Sequence, residues 1–239
     1  MTKYRIKRFS EYLAESGDTG WTVLVHKTPL AKARPLSEKI LAKYHRDLNT
    51  ELPNFDANYE FLRGALKKSW GVQRRDMPVI NADQIDQFAR DLRAGALDIL
   101  KPFAKGKALT AADVMKLSDP EEYITLGLKD ENHKDDVLVA KMKMVPCSML
   151  KPIQEEIYLD KVDNMIGKFG AVKNGNPVTK LTMIVSKDGY IIDGHHRYAT
   201  VLLCDPSVKV QILEVPMKID DLLKVTLAYG LSIGNKPNI

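Results

Sequence analysis

The sequence predicts an α+β protein, with a mostly helical amino-terminal region over residues 1–135 and a small mixed α/β domain over residues 136–239. Two observations predict this division. In the first part, apolar residues recur at intervals of three and four, the spacing of amphipathic helices. In the second part, short apolar runs bounded by turn residues predict strands. Between the two parts, Lys129 to Asp136 is almost wholly polar and is typical of a linker or exposed loop.

Four stretches of the first part have helical spacing. They are Ser37–Leu48, Asn58–Trp70, Asn81–Leu100 and Thr110–Leu117. In the second stretch, the predicted apolar face consists of Phe61, Leu62, Ala65 and Leu66. In the third, Asn81 and Gln84 have the spacing of a capping box, and Pro102 is expected to close the helix.

The second part alternates strands and helices. The predicted strands are Leu138–Val145, Leu181–Val185, Tyr190–Ile192 and Val208–Val215, and the predicted helices are Leu159–Phe169, a segment after Gly194, and Asp220–Tyr229. Lys187-Asp188-Gly189 is a hairpin signal between two strands. Gly230 is expected to end the last helix.

The charge balance favours an anionic partner. The net charge is +5 and the isoelectric point is about 9.0, which suits a nucleotide or a nucleic acid. Lys67, Lys68, Arg74 and Arg75 gather around Trp70, and such a basic cluster with an aromatic residue can hold a nucleic-acid backbone. The same pattern also fits a solvated helix end beside a core tryptophan.

The composition also predicts a cytoplasmic protein. No apolar run approaches the roughly 20 residues of a membrane span, and the basic amino terminus lacks the apolar core of a signal peptide. The two cysteines, Cys147 and Cys204, are predicted to be buried thiols because they form neither a disulfide framework nor a metal-binding pair.

The strongest chemical signal is Asp193-Gly194-His195-His196-Arg197, named here the DGHHR turn. It lies between an apolar strand and a helix-like run, so its basic residues fall where a helix amino terminus presents unpaired N–H groups. Phosphate is the natural ligand of such a turn. Gly194 allows close approach, and Asp193 could hold Mg²⁺, orient a histidine or accept a proton. The alternative is a plain corner in which Asp193 caps the helix and the histidines are exposed.

A second group of polar residues comes after Pro152. Gln154, Glu155 and Glu156 precede a predicted helix. One of the glutamates could face the anion site as a general base or Mg²⁺ ligand. Alternatively, both are ordinary acidic residues at a helix start, and the sequence does not choose between Glu155 and Glu156.

The segment from about residue 140 to Val215 resembles the ParB/sulfiredoxin superfamily domain. The match is the order of its parts: Val145-Pro146, Leu150-Lys151-Pro152-Ile153-Gln154, helix, strand, glycine hairpin, the DGHHR turn, helix and strand. His195 occupies the slot of the sulfiredoxin cysteine, and too few residues follow Val215 for the helix-turn-helix domain of chromosome-partition ParB proteins. In motif, the chain is closest to the free-serine-kinase-like branch, in which no counterpart of residues 1–135 is recognised.

This resemblance implies a nucleotide-dependent enzyme. It would be a phosphotransferase or NTPase that uses Mg²⁺ and ATP, ADP or CTP, and a phosphotransferase would also take a small hydroxyl substrate. Asp193 and Glu155 or Glu156 would be catalytic, and Gln154, Gly194 and the basic residues of the turn would bind the nucleotide phosphates. Two other interpretations stay open: a ParB-like DNA-binding protein or nuclease, and a non-catalytic interaction protein. If the chain is phage-encoded, the host cytoplasm is its expected location.

Overall fold

The computed structural model of the chain contains helices and a mixed four-stranded sheet, so the α+β part of the predicted fold class is confirmed. The structure describes residues 22–24, 54–72, 76–99, 116, 119–129, 132, 134–154, 156–169 and 172–236. Its helices are α1 Phe55–Lys67, α2 Ile85–Ala94, α3 Leu159–Phe169, α4 His195–Cys204 and α5 Ile219–Ser232. Its strands are β1 Thr22–Leu24, β2 Lys141–Pro146, β3 Glu156–Tyr158, β4 Met183–Ser186, β5 Ile191–Asp193 and β6 Lys209–Val215. Within the described residues, 3₁₀ segments are formed by Pro120–Leu128, Cys147–Met149 and Pro177–Lys180. The predicted helices over residues 37–48 and 110–117 lie outside the described part, apart from residue 116.

Two compact units, interleaved along the chain, make up the structure. Unit 1 comprises Met1–Arg74, Val145–Lys180 and His195–Val210, and unit 2 comprises Arg75–Met144, Leu181–Gly194 and Gln211–Ile239. Each unit therefore takes residues from both sides of the predicted boundary between residues 135 and 136. The reason is that helices of the first part pack with elements of the second part inside each unit.

Unit 1 is built around helix α4, which contacts α1, α3 and β3. All residues of α4 from Tyr198 to Cys204 are buried, as expected for a helix that is apolar on every side. The amide of Asn58 in α1 donates to the carbonyl oxygens of Leu203 and Cys204 at 3.1 and 3.2 Å. These are among the carbonyls that a helix end leaves without an intrahelical donor, so α1 both covers α4 and satisfies its last turn.

Helix α1 confirms the predicted periodicity, with one exception. Leu62 and Leu66 are buried, whereas Phe61 is 47% exposed. Strands β1 and β3 pair in parallel, with Thr22 opposite Glu156.

The two cysteines of unit 1 are free and buried, as predicted. Burial raises the pKa of Cys147 and, as the largest cause, raises that of Cys204 to about 11.

Unit 2 holds most of the four-stranded sheet, whose order is β2-β6-β4-β5. Strand β4 is parallel to β6 and antiparallel to β5. The predicted hairpin between β4 and β5 is confirmed: the N–H of Gly189 donates to the carbonyl of Ser186 at 2.9 Å, and the N–H of Ser186 donates to the carbonyl of Tyr190 at 2.9 Å. Gly189 has φ +85°, a conformation that glycine adopts without steric cost.

Helix α2 begins later and ends earlier than the sequence predicts. The side chain of Gln84 accepts from the N–H of Asn81 at 2.8 Å, so one half of the predicted capping box is present. The helix itself begins at Ile85 and is capped by Gly95, a left-handed residue with φ +65°. The predicted continuation to Leu100 is wrong because Gly95 takes the conformation that terminates helices.

Helix α5 continues through Gly230, so the predicted stop at this residue is wrong. A Cβ atom built at Gly230 would lie 2.6 Å from the carbonyl oxygen of Val79. Glycine is present here because another stretch of backbone approaches the helix, and not because the helix ends. No helix in the described ranges is both long and apolar enough to cross a membrane.

The polar stretch predicted as a linker ends in a buried carboxylate of unit 2. Asp136 is 1% exposed, and its Oδ1 accepts from the N–H of Ile99 at 2.7 Å. A Cβ at Gly127 would lie 2.9 Å from the other carboxylate oxygen. Burial is the largest cause of the raised pKa of Tyr123, and Asp98 and Asp136 raise it further. This end of the stretch is core structure, contrary to the prediction for it.

Candidate phosphate site at the start of helix α4

The DGHHR turn has the predicted order of strand, glycine and helix. Strand β5 ends at Asp193 and helix α4 begins at His195. Gly194 between them has φ +106°, where the Cβ of an L-residue meets neighbouring backbone. The abrupt change from extended to helical backbone therefore depends on this glycine.

His195 is buried, with 3% of its surface exposed. Its Nε2 accepts from the backbone N–H of Ile153 at 3.1 Å and from that of Gln154 at 3.3 Å. A backbone N–H can only donate, so Nε2 carries no proton in this arrangement. The sequence predicts His195 as a phosphate donor; in the structure, any such donation would have to come from Nδ1.

The segment Pro152-Ile153-Gln154 is buried and is held on a second side by Val72. The N–H of Val72 donates to the carbonyl oxygen of Ile153 at 3.0 Å, and Val72 and Gln154 form a parallel bridge. Residue type could not reveal these contacts, because they use backbone N–H and C=O groups that every non-proline residue carries.

The structure brings Gln154 to the start of α4, but it does not choose between the two glutamates. Glu155 lies outside the described residues. The backbone of Glu156 begins strand β3, two residues after Gln154, and its side chain is not described. The predicted catalytic role of Glu155 or Glu156 stays a prediction.

His196 and Arg197 lie in the first turn of α4 and are half-buried. The hydroxyl of Thr200 donates to the carbonyl oxygen of His196 at 2.7 Å, one turn along the helix. No acidic residue lies in that first turn. The guanidinium of Arg197 therefore lies beside the partial positive charge of the helix start, and the first helical turn itself contains no acidic residue.

The carboxylate of the turn, Asp193, is half-buried and lies in β5, where its backbone is opposite Ile184 of β4. Among the described side chains, no three His, Cys, Asp or Glu residues gather closely enough to hold a metal ion. Magnesium commonly uses only one or two carboxylates and completes its shell with water and substrate phosphate. Asp193 supplies one carboxylate, which is enough protein ligation for a magnesium ion of this kind.

The predicted basic cluster is only partly visible. Lys67 and Lys68 are exposed at the end of α1, and Arg74 and Arg75 lie outside the described residues. Trp70 is 43% exposed, so the alternative that it is a core tryptophan is wrong.

Comparisons with known proteins find no matching family model, no matching curated protein and no matching solved structure. The resemblance to the ParB/sulfiredoxin superfamily thus depends on the order of motifs in the sequence, and it stays a prediction.

Proposed function

We propose that the start of helix α4 binds the phosphates of a nucleotide, and that the protein is a nucleotide-dependent phosphotransferase or NTPase. The observation that carries the proposal is the first turn of α4. It follows a glycine with φ +106°, contains His195, His196 and Arg197, and has no acidic residue. An anion is the ligand that such a turn stabilises.

The proposed phosphate ligands are the side chains of His196 and Arg197 and the first N–H groups of α4. Arg197 can donate two parallel N–H bonds to phosphate oxygens. A bound phosphate, as an anion at a helix amino terminus, gains about 0.3–1 kcal/mol from the helix dipole when exposed and up to about 2 kcal/mol when partly buried. Because His196 and Arg197 are half-buried, a phosphate held by them is expected in the upper part of this range.

Phosphoryl transfer requires mainly positioning and charge stabilisation. Asp193 is the proposed catalytic carboxylate next to the phosphate-binding residues in the chain, with Glu155 or Glu156 as the second acidic residue. Bound Mg²⁺, held by Asp193, would neutralise charge on the phosphates. A small hydroxyl compound is the proposed acceptor, as the superfamily resemblance implies, and water takes its place if the protein is an NTPase.

Isothermal titration calorimetry with ATP, ADP and CTP, each with MgCl₂, measures nucleotide affinity and tests the binding step. We expect Arg197→Gln to weaken binding by about tenfold, since a charge-assisted pair is removed. Arg90→Gln is the matched control: Arg90 is an exposed arginine of α2 that hydrogen-bonds Gln87, and its loss should leave the affinity unchanged. Absence of binding at millimolar nucleotide would refute the proposal.

Turnover is tested separately. Wild-type protein is incubated with Mg²⁺-ATP or Mg²⁺-ADP and a panel of small hydroxyl compounds, and phosphorylated product and released phosphate are measured. We expect Asp193→Asn to abolish turnover while nucleotide still binds. Nucleotide binding without turnover by the wild type would instead support a non-catalytic interaction protein.

The exposure of Trp70 favours a second candidate function, nucleic-acid binding at the end of α1. Lys67 and Lys68 are exposed close to it in the chain, and an exposed aromatic ring can stack on a base while lysines contact phosphates. DNA affinity that falls steeply with salt is the expected signature. Lys67→Glu with Lys68→Glu should then abolish it; unaltered binding would exclude this surface.

A further inference from the structure

His195 differs from the other two basic residues of the DGHHR turn. His195 is 3% exposed, whereas His196 and Arg197 are half-buried. Its Nε2 already accepts two backbone N–H groups, from Ile153 and Gln154. These two amides belong to a different segment of unit 1, more than forty residues away in the chain.

The geometry assigns His195 the role of a positioning residue that anchors the Ile153-Gln154 backbone at the start of α4 and does not itself bind phosphate. This inference rests on the proposed function, since it concerns the same site. The anchoring itself, however, depends only on hydrogen bonds within unit 1.

The anchor requires one tautomer. Both partners of Nε2 are donors, so the ring must be neutral there and keep its proton on Nδ1. A ring protonated on Nε2 would direct an N–H at two other N–H groups and lose both bonds. Nε2 is consequently not a donor to phosphate. Because His195 is almost fully buried, a ligand also has little access to the ring.

Anchoring matters because the next two residues of the chain, Glu155 and Glu156, are the acidic candidates. Ile153 is fixed on one side by Val72 and on the other by His195. His195 thus fixes the backbone of Ile153 and Gln154, the two residues that directly precede the acidic candidates in the chain. Catalytic groups need such positioning, because displacements of about 1 Å cost up to about a hundredfold in rate.

Three variants separate an anchor from a phosphate ligand. His195→Leu removes the acceptor at similar size, His195→Gln keeps an acceptor oxygen near the Nε2 position, and His196→Leu removes the neighbouring imidazole. Amide hydrogen exchange of Ile153 and Gln154 is measured by NMR on the full-length protein without ligand. Binding of ATP with MgCl₂ is measured by calorimetry.

We expect His195→Leu to speed exchange of both amides by about tenfold, as expected for loss of a buried hydrogen bond, and to weaken ATP binding. His195→Gln should restore much of the protection and much of the affinity. His196→Leu should weaken ATP binding with the two amides unchanged. If His195→Leu weakens ATP binding while Ile153 and Gln154 exchange as in the wild type, His195 is a ligand and the inference is overturned.

The tautomer provides a test that needs no variant to fold. Nitrogen-15 NMR of the wild-type imidazole should show Nδ1 protonated and Nε2 unprotonated, and a proton on Nε2 would refute the anchor. If the wild type binds no nucleotide, the proposed function fails, but the tautomer and amide measurements still decide whether His195 anchors the segment.

Discussion

Glycine residues show at the level of single residues how one amino acid meets different physical needs. Gly194 is required by its backbone angle, φ +106°. Gly230 has an ordinary helical position in α5, and it is required by space, because a Cβ would lie 2.6 Å from the carbonyl oxygen of Val79. From the sequence, both glycines are predicted to lie at the boundary of a helix. Only the packing of unit 2 distinguishes a helix end from a close backbone approach.

Gly230→Ala should destabilise the protein, because the new methyl group meets a carbonyl that belongs to another backbone segment and cannot rotate away. Overpacking of this kind costs about 1–3 kcal/mol, and we expect the free energy of unfolding in urea to fall by that amount. Gly64→Ala is the control: Gly64 is also inside a helix, α1, and a Cβ there has nothing within 4 Å. The control should gain about 0.5–1 kcal/mol from helix propensity. Equal effects of the two substitutions would contradict the packing argument.

At the scale of elements, Tyr229 ties helix α5 to helix α2 in unit 2. Its hydroxyl donates to Oδ2 of Asp91 at 2.8 Å, and its ring lies 4.9 Å from that of Phe88, centroid to centroid. Burial is the largest cause of the raised pKa of Tyr229, and the hydrogen bond to Asp91 raises it further. The hydroxyl therefore stays protonated, and keeps donating, throughout the pH range in which proteins are normally studied.

Tyr229→Phe keeps the ring contact with Phe88 and removes only the hydroxyl. We expect a loss of about 1–2 kcal/mol in the free energy of unfolding, since hydrogen bonds to charged groups contribute more than neutral ones. Asp91→Ala removes the acceptor of the same hydrogen bond. Because both changes remove the same interaction, the double variant should lose less than the sum of the two single losses. Strict additivity would show that the 2.8 Å contact contributes nothing.

Prediction from sequence succeeded for elements whose pattern is local. Helix α3 and the β4–β5 hairpin follow directly from periodicity and from Lys187-Asp188-Gly189. It failed where a distant backbone segment decides the outcome, as at Gly230. The site shows the same division. The order of strand, glycine and helix was predicted, but the contact of His195 with the Ile153 amide was not, because it depends on tertiary packing.

For the whole molecule, the interleaving of the two units has a consequence for folding. Unit 1 needs helix α1 against α4, and the amide of Asn58 satisfies the carbonyls of Leu203 and Cys204. Unit 2 needs helix α2 beside α5, as the bond between Asp91 and Tyr229 shows. Each pair joins a residue before position 136 to one after it. A cut between residues 135 and 136 therefore separates helices that pack together in unit 1, and does the same in unit 2.

We expect the fragment 136–239 to be unfolded when produced alone, although it contains the whole DGHHR turn and all four strands of the larger sheet. Without α1, the apolar surface of α4 is exposed to water, and burial of such surface is the main force for folding. The measurement is a proton–nitrogen NMR spectrum of the fragment, alone and after addition of an equimolar amount of fragment 1–135, with the intact chain as control. We expect the amide peaks of fragment 136–239 by itself to be poorly dispersed. After fragment 1–135 is added, the peaks of the intact chain should reappear. A dispersed spectrum and cooperative urea unfolding of fragment 136–239 by itself would mean that it folds independently of residues 1–135. Packing between the two parts of the chain would then not be what stabilises the fold.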